Sequence, residues 1–145
     1  MAFDFETRTN IMIAYDFDGV LIPDFNRVPN LGGLDEFYTM TQSVKPIFKP
    51  KGTWYIITGR DRSYLTQTAS YIDKHFDNPP VALYQDRKRK EQKAWEYKAE
   101  ILNELPEIQY YIESDPRTVS YLKEHVTTGC KVIHFADYLE TSLSK

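Results

Sequence analysis

The sequence predicts an α/β fold with a mostly parallel sheet between two layers of helices. Short apolar runs alternate with longer amphipathic stretches along the chain, which is the pattern of strand–helix–strand units. Two of the apolar runs end directly in acidic residues, the first in Asp16 and Asp18 and a later one in Glu113. Ligands of open parallel sheets bind beyond the carboxyl ends of the strands, so we expect a functional site at that edge.

Length and composition point to one globular domain covering residues 1–145, because 145 residues suffice for a single core and 41% of them are hydrophobic. The net charge of -3 gives no general attraction to nucleic acid or to an anionic membrane, and no apolar run is long enough to cross a bilayer. Cys130 is the one cysteine, so no intrachain disulfide can form, and the first ten residues lack a basic-then-apolar signal. We therefore expect a cytoplasmic protein with no membrane partner.

The first predicted strand is the apolar run at residues 11–14, and it leads into Asp16, Phe17, Asp18 and Gly19. Two carboxylates one residue apart repel each other, and burying them requires a counter-charge. Mg²⁺ is a hard cation that oxygen ligands suit, so the pair predicts a magnesium site, with Gly19 allowing a sharp turn behind it. The alternative is an Asx-type turn that carries a surface pair of aspartates.

The segment before the second strand is short and rich in turn residues. Residues 1–10 form a loose lead-in with a short edge strand as one option, and residues 21–33 carry the prolines and glycines of a loop. A short helix is expected over 34–44. Residues 21–50 together leave room for a loop or flap but not for a second folded unit.

The second predicted strand is Thr53–Ile57, which is β-branched and aromatic and ends in Thr58-Gly59-Arg60. Thr58 or Asp61 could simply cap the next helix, or the Thr58 hydroxyl could bind a ligand, and both roles are compatible. The apolar face expected for that helix consists of Leu65, Ala69, Ile72 and Phe76.

The third predicted strand, Val81–Tyr84, is followed by a basic segment with cations at 87–90 and Lys93. Such a run is usually a solvated face. Because this basic segment comes just after a strand end, a second interpretation is that it binds a phosphorylated polymer or a nucleotide.

A helix is expected over 91–105, and one of its faces carries Ala94, Trp95, Lys98, Ile101, Leu102 and Leu105. Lys98 is the single charge on that apolar face. It needs either an acidic partner or a route along which its ammonium reaches water. Lys93 instead groups with the polar face, together with Arg89, Lys90, Glu96, Tyr97 and Glu100.

The fourth predicted strand, Ile108–Ile112, ends in Glu113-Ser114-Asp115-Pro116. Asp115 is suited to metal binding, but either Ser114 or Asp115 could instead cap the next helix, whose first position Pro116 would occupy. That helix extends to about Val126, and a fifth strand over Lys131–Phe135 precedes a weakly amphipathic end. None of the three histidines pairs with a candidate nucleophile, so a Ser/His/Asp hydrolase or a zinc site has no support.

Taken together, the segments at Asp16, Thr58, Lys98 and Glu113 resemble, in their order along the chain, the four motifs of the haloacid dehalogenase-like (HAD) superfamily. This resemblance spans most of the chain. It implies a three-layer Rossmann-like sheet with strand order 5-4-1-2-3 and a minimal cap at residues 21–50. The fourth segment departs from the paired aspartates common in the family, which leaves open whether Glu113 or Asp115 is the metal ligand.

The resemblance also implies a role for each of these residues. Asp16 would attack the phosphoryl group and Asp18 would act as general acid and base, while Lys98 would bridge the nucleophile and the phosphate. The phosphate would also contact the segment Thr58, Gly59 and Arg60. The metal would be held by Asp16, Asp18 through its main-chain oxygen, and the fourth-motif acid Glu113 or Asp115.

The function that follows is a Mg²⁺-dependent phosphatase that forms an aspartyl-phosphate intermediate. Its substrate would be a phosphorylated small molecule, such as a nucleotide, or the phosphorylated end of a nucleic acid. The alternatives are a phosphotransferase of the same fold and a non-catalytic domain that binds a nucleotide or a protein partner. The sequence does not indicate the oligomeric state.

Overall fold

The computed structural model of the protein describes residues 11–23, 39–87 and 91–143. The strands are β1 (Ile13–Tyr15), β2 (Trp54–Ile57), β3 (Ala82–Tyr84), β4 (Tyr110–Glu113) and β5 (Lys131–His134). The helices are α1 (Leu65–His75), α2 (Ala94–Glu104), α3 (Pro116–His125) and α4 (Phe135–Leu143), and a 3-10 turn at Arg62–Tyr64 leads into α1.

The five strands form one sheet with the order β3-β2-β1-β4-β5, and every neighbouring pair is parallel. This confirms the predicted order, read from the opposite edge. In the register of the sheet, Tyr15 of the central strand β1 pairs with Ile56 of β2 and with Ile112 of β4. Because these three strands end at nearly the same level, the residues that follow them meet at one edge.

Side chains alternate between the two faces of the sheet, and each face has its own apolar core. The first core consists of strand residues from one face of the sheet, packed against Tyr71 and Ile72 of α1 and Tyr138 of α4. The second core joins the opposite face to α2 and α3. Its helical members are Tyr97, Ala99, Ile101, Leu102, Val119 and Leu122. The helices therefore flank the sheet in two layers, as the alternating sequence pattern predicted.

The apolar face predicted for α1 is wrong in part. Ile72 is buried as expected, but Leu65 and Ala69 are exposed, and Tyr71 and Thr68 are buried instead. Tyr71 packs edge-on against Phe17 with ring centroids 5.5 Å apart. The Thr68 hydroxyl is bonded within the helix to the main-chain oxygen of Tyr64, so its polar group is satisfied and the residue can be buried.

Tyr97 was predicted on the polar face of α2 and is in fact almost fully buried. Its hydroxyl accepts a hydrogen bond from the main-chain N–H of Asp86 at 3.0 Å. That bond satisfies the polar end of the side chain, so the ring can pack in the core. Trp95, which was placed on the apolar face, is 40% exposed.

The chain end that looked uninformative in the sequence forms α4. Phe135 and Tyr138 of this helix are buried, and the Tyr138 hydroxyl lies 3.0 Å from that of Tyr15. Phe48 packs against the rings of both Tyr15 and Tyr138, so the end of the segment that precedes β2 is part of the core. The aromatic residues thus link the helix to the central strand.

Several sequence predictions fall outside the described residues. These are the edge strand within 1–10, most of the loop and flap at 24–38, and the basic residues 88–90. Of the helix expected over 34–44, residues 39–44 are described: residues 39–41 are helical, whereas residues 42–44 form a turn, so the predicted end of this helix is wrong. No helix in the described ranges is long and apolar enough to cross a membrane.

Candidate active site

The turn after β1 places the Asp16 carboxylate at the carboxyl edge of the sheet. The Asp16 main-chain N–H donates to the oxygen of Ile112 at 2.9 Å, which extends the pairing with β4 by one residue. Gly19 has φ 88°, in the left-handed region that favours glycine, and its N–H bonds to the oxygen of Ile22 at 2.8 Å. Phe17, the residue between the two aspartates, is inaccessible to solvent, so the packing of its ring fixes the backbone beside Asp16.

Lys98 lies between two carboxylates at this edge. Its Nζ donates to Asp16 Oδ1 at 3.1 Å and to Glu113 Oε1 at 2.8 Å. Asp16 and Lys98 are each 5% exposed and Glu113 is 1% exposed, so the three charges form a buried cluster. Lys98 thus has two acidic partners, where the sequence predicted the need for one. Lys93, which was predicted on the polar face, is exposed at the start of α2.

The pKa shifts in the cluster follow from burial and from its charges. Burial raises the pKa of the Asp16 carboxyl well above its usual range and the Glu113 carboxylate raises it further, while Lys98 offsets part of the effect. Burial alone would also raise the pKa of Glu113, but Lys98 and the surrounding hydrogen bonds lower it. Burial opposes the charge on Lys98, and the two carboxylates overcome this and raise its pKa. With both carboxylates ionised, the Lys98 ammonium would balance only one of the two negative charges, so burial and this excess charge raise the pKa of Asp16 while that of Glu113 is lowered.

Asp18 is paired with Arg60 and not with Lys98. The guanidinium donates to both carboxylate oxygens, from Nε to Oδ2 and from Nη2 to Oδ1, each at 2.8 Å. Arg60 also donates to the Thr68 hydroxyl at 3.2 Å, and its guanidinium carbon lies 4.5 Å above the centre of the Phe17 ring. The side chain of Asp18 is 31% exposed, while that of Arg60 is 3% exposed. Arg60 therefore binds Asp18 from the interior of the protein, and Asp18 lies at the surface.

Thr58 follows β2 and is almost fully buried. Its hydroxyl oxygen accepts the N–H of Arg60 at 3.2 Å. Within residues 11–23, 39–87 and 91–143, the hydroxyl proton of Thr58 has no acceptor. It remains available to a ligand, as the sequence suggested, and the helical turn that follows is capped by Asp61.

Gly59 allows α2 to approach the end of β2 closely. A Cβ atom at this position would lie 2.5 Å from the Cβ of Ala94 and 3.9 Å from Cε of Lys98. Real Cβ atoms do not come as close as the first of these distances, so glycine is required for this packing. The close approach brings Lys98 of α2 to the sheet edge.

The acids of the fourth segment have separate structural roles. The Asp115 carboxylate caps α3 by accepting the N–H of Arg117 at 3.2 Å and the Thr118 hydroxyl at 2.9 Å. Of the two roles left open for Asp115, the structure shows the cap. Besides Lys98, Glu113 accepts from the Tyr111 hydroxyl at 2.9 Å.

A hard cation fits the oxygens that meet beyond β1. In the described ranges, no three side chains of His, Cys, Asp or Glu gather in a way that could hold a metal ion. A mixed set does gather, because Asp16 Oδ2 and the main-chain oxygen of Asp18 both lie within 3.4 Å of the Ser114 hydroxyl. These donors are all oxygen and include one carboxylate, which suits Mg²⁺.

The structure thus brings together Asp16, Asp18, Thr58, Lys98 and Glu113, with Arg60 beside them. Two further side chains join this group without having been predicted there: the Tyr111 hydroxyl donates to Glu113, and the Ser114 hydroxyl lies near Asp16. Ser114 directly follows a strand end between two acids, and that position could have identified it. Tyr111 lies within an apolar run and carries no signal of its own.

Comparison with known proteins gives no assignment for this chain. No protein-family model matches the sequence, and no curated protein matches it.

Proposed function

We propose that this protein is a Mg²⁺-dependent phosphatase of the HAD-like type that hydrolyses a phosphomonoester through a phosphoryl group carried on Asp16. The observation that carries the proposal is the Asp16 carboxylate, buried at the end of the central strand with the Lys98 ammonium 3.1 Å away. A carboxylate nucleophile and a phosphoryl group are both negative, so a fixed cation beside them lowers the barrier to their approach. The parallel sheet order and the order of the four segments also support it.

In the first half of the proposed reaction, a carboxylate oxygen of Asp16 attacks phosphorus and the bond between phosphorus and the leaving oxygen breaks. Lys98 and the Thr58 hydroxyl bind the non-bridging oxygens, because both are donors at the same edge of the sheet. Asp18, which has taken up a proton from water at the end of the preceding cycle, transfers that proton to the leaving oxygen and returns to the carboxylate form that Arg60 binds. Because the Asp18 side chain is partly exposed to solvent, it can reach the leaving oxygen of a bound substrate.

In the second half, Asp18 takes a proton from water as the water oxygen attacks phosphorus. The bond between phosphorus and the Asp16 oxygen breaks, which releases inorganic phosphate and restores the carboxylate. Mg²⁺ would be held by Asp16 and the main-chain oxygen of Asp18, and when bound it neutralises part of the charge on the phosphoryl oxygens. It would also supply the positive charge that the buried cluster lacks.

The substrate class we propose is a phosphorylated small molecule, such as a nucleotide, or a phosphorylated nucleic-acid end. We propose that the protein acts in the cytoplasm, where the unpaired thiol of Cys130 is stable.

The test is a phosphatase assay on p-nitrophenyl phosphate and a panel of phosphorylated compounds, with Mg²⁺ and with EDTA. The wild type should be active with Mg²⁺ and inactive with EDTA. Asp16→Asn should show no turnover and no acid-stable phosphoenzyme, because an amide is a poor nucleophile. Asp18→Asn should lose about 10²- to 10⁴-fold in turnover and accumulate phosphoenzyme.

Asp73→Asn, an exposed change on α1, is the matched control and should behave as the wild type. Wild-type turnover in Asp16→Asn, or full activity in EDTA, would reject the proposed function.

A further inference from the structure

The Ser114 hydroxyl lies at the point where the oxygens of Asp16 and Asp18 converge. Ser114 Oγ is 3.2 Å from the main-chain oxygen of Asp18 and 3.4 Å from Asp16 Oδ2. Hydroxyl–oxygen hydrogen bonds are usually about 2.7–2.8 Å long, so both contacts are loose. A hydroxyl has one proton and cannot donate fully to both acceptors. The Ser114 hydroxyl therefore lies next to two oxygens and satisfies neither of them well.

The neighbouring Glu113 does not offer a free oxygen at this point. Its Oε1 accepts from Lys98 at 2.8 Å and its Oε2 accepts the main-chain N–H of Asp115 at 3.1 Å. The side chain is 1% exposed. Turning it toward a cation would break both bonds and would leave Asp16 as the one acidic partner of the Lys98 ammonium in the described part of the chain.

Asp115 is also engaged, because both of its carboxylate oxygens accept hydrogen bonds at the start of α3. Capping bonds of this kind contribute about 0.5–2 kcal/mol to stability. Recruiting Asp115 to a cation would uncap the helix.

We propose that the Ser114 hydroxyl, and not a fourth-segment acid, is the third protein ligand of the cation, beside Asp16 Oδ2 and the main-chain oxygen of Asp18. Two oxygens that bind one Mg²⁺ at right angles are about 2.9 Å apart, given bond lengths of about 2.0–2.1 Å. The observed separations need to shrink by only a few tenths of an ångström to reach this value. Water and the substrate phosphate complete the coordination, as is usual for Mg²⁺ in phosphoryl-transfer sites.

A site with one side-chain carboxylate should bind Mg²⁺ weakly. Substitutions of Ser114 should therefore change its affinity for Mg²⁺ strongly. The inference rests on the proposed function only for the identity of the cation. Its test uses metal binding without substrate, so it does not depend on turnover.

The experiment is titration of the full-length protein with Mg²⁺ alone, followed by calorimetry, and with Mn²⁺ alone, followed by electron paramagnetic resonance. Ser114→Ala should weaken binding about tenfold or more, as loss of an interaction at a metal site commonly does. Ser114→Asp should strengthen it by a similar factor, because it replaces a neutral ligand by a charged one. Circular dichroism checks that each variant is folded, and the gain in Ser114→Asp tests the inference even if Ser114→Ala does not fold.

Ser114→Cys tests direct contact with the metal. Thiolate prefers soft metals, so this variant should lose affinity for Mg²⁺ and gain it for Cd²⁺, with ultraviolet absorption from a cadmium–thiolate bond. The wild type, which contains Cys130, is the control for adventitious cadmium binding.

Asp115→Asn and Glu113→Gln are the matched controls. Asparagine caps helices as well as aspartate does, so Asp115→Asn should leave Mg²⁺ affinity within about threefold of the wild type. Glu113→Gln should weaken binding less than Ser114→Ala.

Two outcomes would overturn the inference. One is Mg²⁺ binding in Ser114→Ala equal to the wild type together with loss of binding in Glu113→Gln or Asp115→Asn. The other is a folded wild type that binds neither Mg²⁺ nor Mn²⁺. If the metal titrations behave as expected and no phosphorylated compound is hydrolysed, the proposed function fails and this inference stands.

Discussion

Lys98 is the residue on which the electrostatics of the site depend. It lies between Asp16 and Glu113, and all three side chains are removed from water. Removing one partner of a buried ion pair leaves an uncompensated charge, which costs more than the pair contributes when it is intact. The ammonium therefore makes the burial of both carboxylates possible, and the sequence indicated this need by placing one charge on an apolar helix face.

We expect Lys98→Met to lower the free energy of unfolding by about 3–5 kcal/mol at neutral pH, because two buried carboxylates then lack a counter-charge. Adding Glu113→Gln to Lys98→Met should restore part of the loss, since one of those charges is removed. The measurement is urea denaturation of the single and double variants.

The loss in Lys98→Met should shrink as the pH falls. A carboxyl group whose pKa is raised in the folded state favours the folded state while it is protonated, and in this variant no ammonium opposes the raised pKa values. Lys123→Met, an exposed change on α3, is the control and should alter stability by less than about 0.5 kcal/mol. If Lys98→Met is no less stable than Lys123→Met, the buried cluster does not exist as described.

At the scale of elements, the contact between the end of β2 and the start of α2 sets the position of Lys98. Gly59→Ala should lower the free energy of unfolding by about 1–3 kcal/mol, because the new Cβ would overlap Ala94 and push α2 outward. The shift should also move Lys98 away from Asp16 and lower turnover. Denaturant unfolding and the phosphatase assay together measure both effects.

Ala94→Gly provides the control for this prediction. Alone it should cost about 1 kcal/mol or less, as glycine does in a helix. Combined with Gly59→Ala it should remove the overlap, so the double variant should be more stable than the sum of the two single changes predicts. Simple additivity would show that the two residues are not in contact.

At the scale of the whole molecule, the open question is whether a polymer binds beside the site. Arg87 has a structural role in the described part of the chain, since Nε donates to the oxygen of Gly59 at 2.8 Å and Nη1 to that of Gln92 at 3.1 Å. It should therefore be left intact in any test of the basic segment. The residues to neutralise are Lys88, Arg89 and Lys90.

If the substrate is a nucleic-acid end, replacing Lys88, Arg89 and Lys90 by Gln should raise KM and flatten its dependence on salt, because fewer counterions are released on binding. Turnover of p-nitrophenyl phosphate should not change. The assay is end dephosphorylation of an oligonucleotide at several salt concentrations, with Lys123→Gln as the control. An unchanged salt dependence would identify the basic segment as a solvated surface.

Local patterns in the sequence predicted the fold class and most of the residues that lie together at the candidate site. Alternating strand and helix segments predicted the mostly parallel sheet, and the resemblance to the HAD superfamily, together with right-handed crossovers, predicted its strand order. Acids and a hydroxyl directly after strand ends predicted residues that the sheet register does bring together, among them Asp16, Thr58 and Glu113. Lys98 was identified since a charge on an apolar face demands a partner, and the structure provides two.

Only the tertiary structure decided which polar group meets which. Asp18 pairs with Arg60, Glu113 with Lys98, and Asp115 caps a helix, and no spacing in the sequence distinguishes these partners. The burial of Tyr97 was likewise set by a hydrogen bond to a residue outside its own helix. Periodicity reports one face of one element, whereas hydrogen bonds and ion pairs depend on distances between elements that are far apart in the chain. For that reason the contacts of the Ser114 hydroxyl with the oxygens of Asp16 and Asp18 are known only from the structure, in which the ends of β1 and β4 lie side by side.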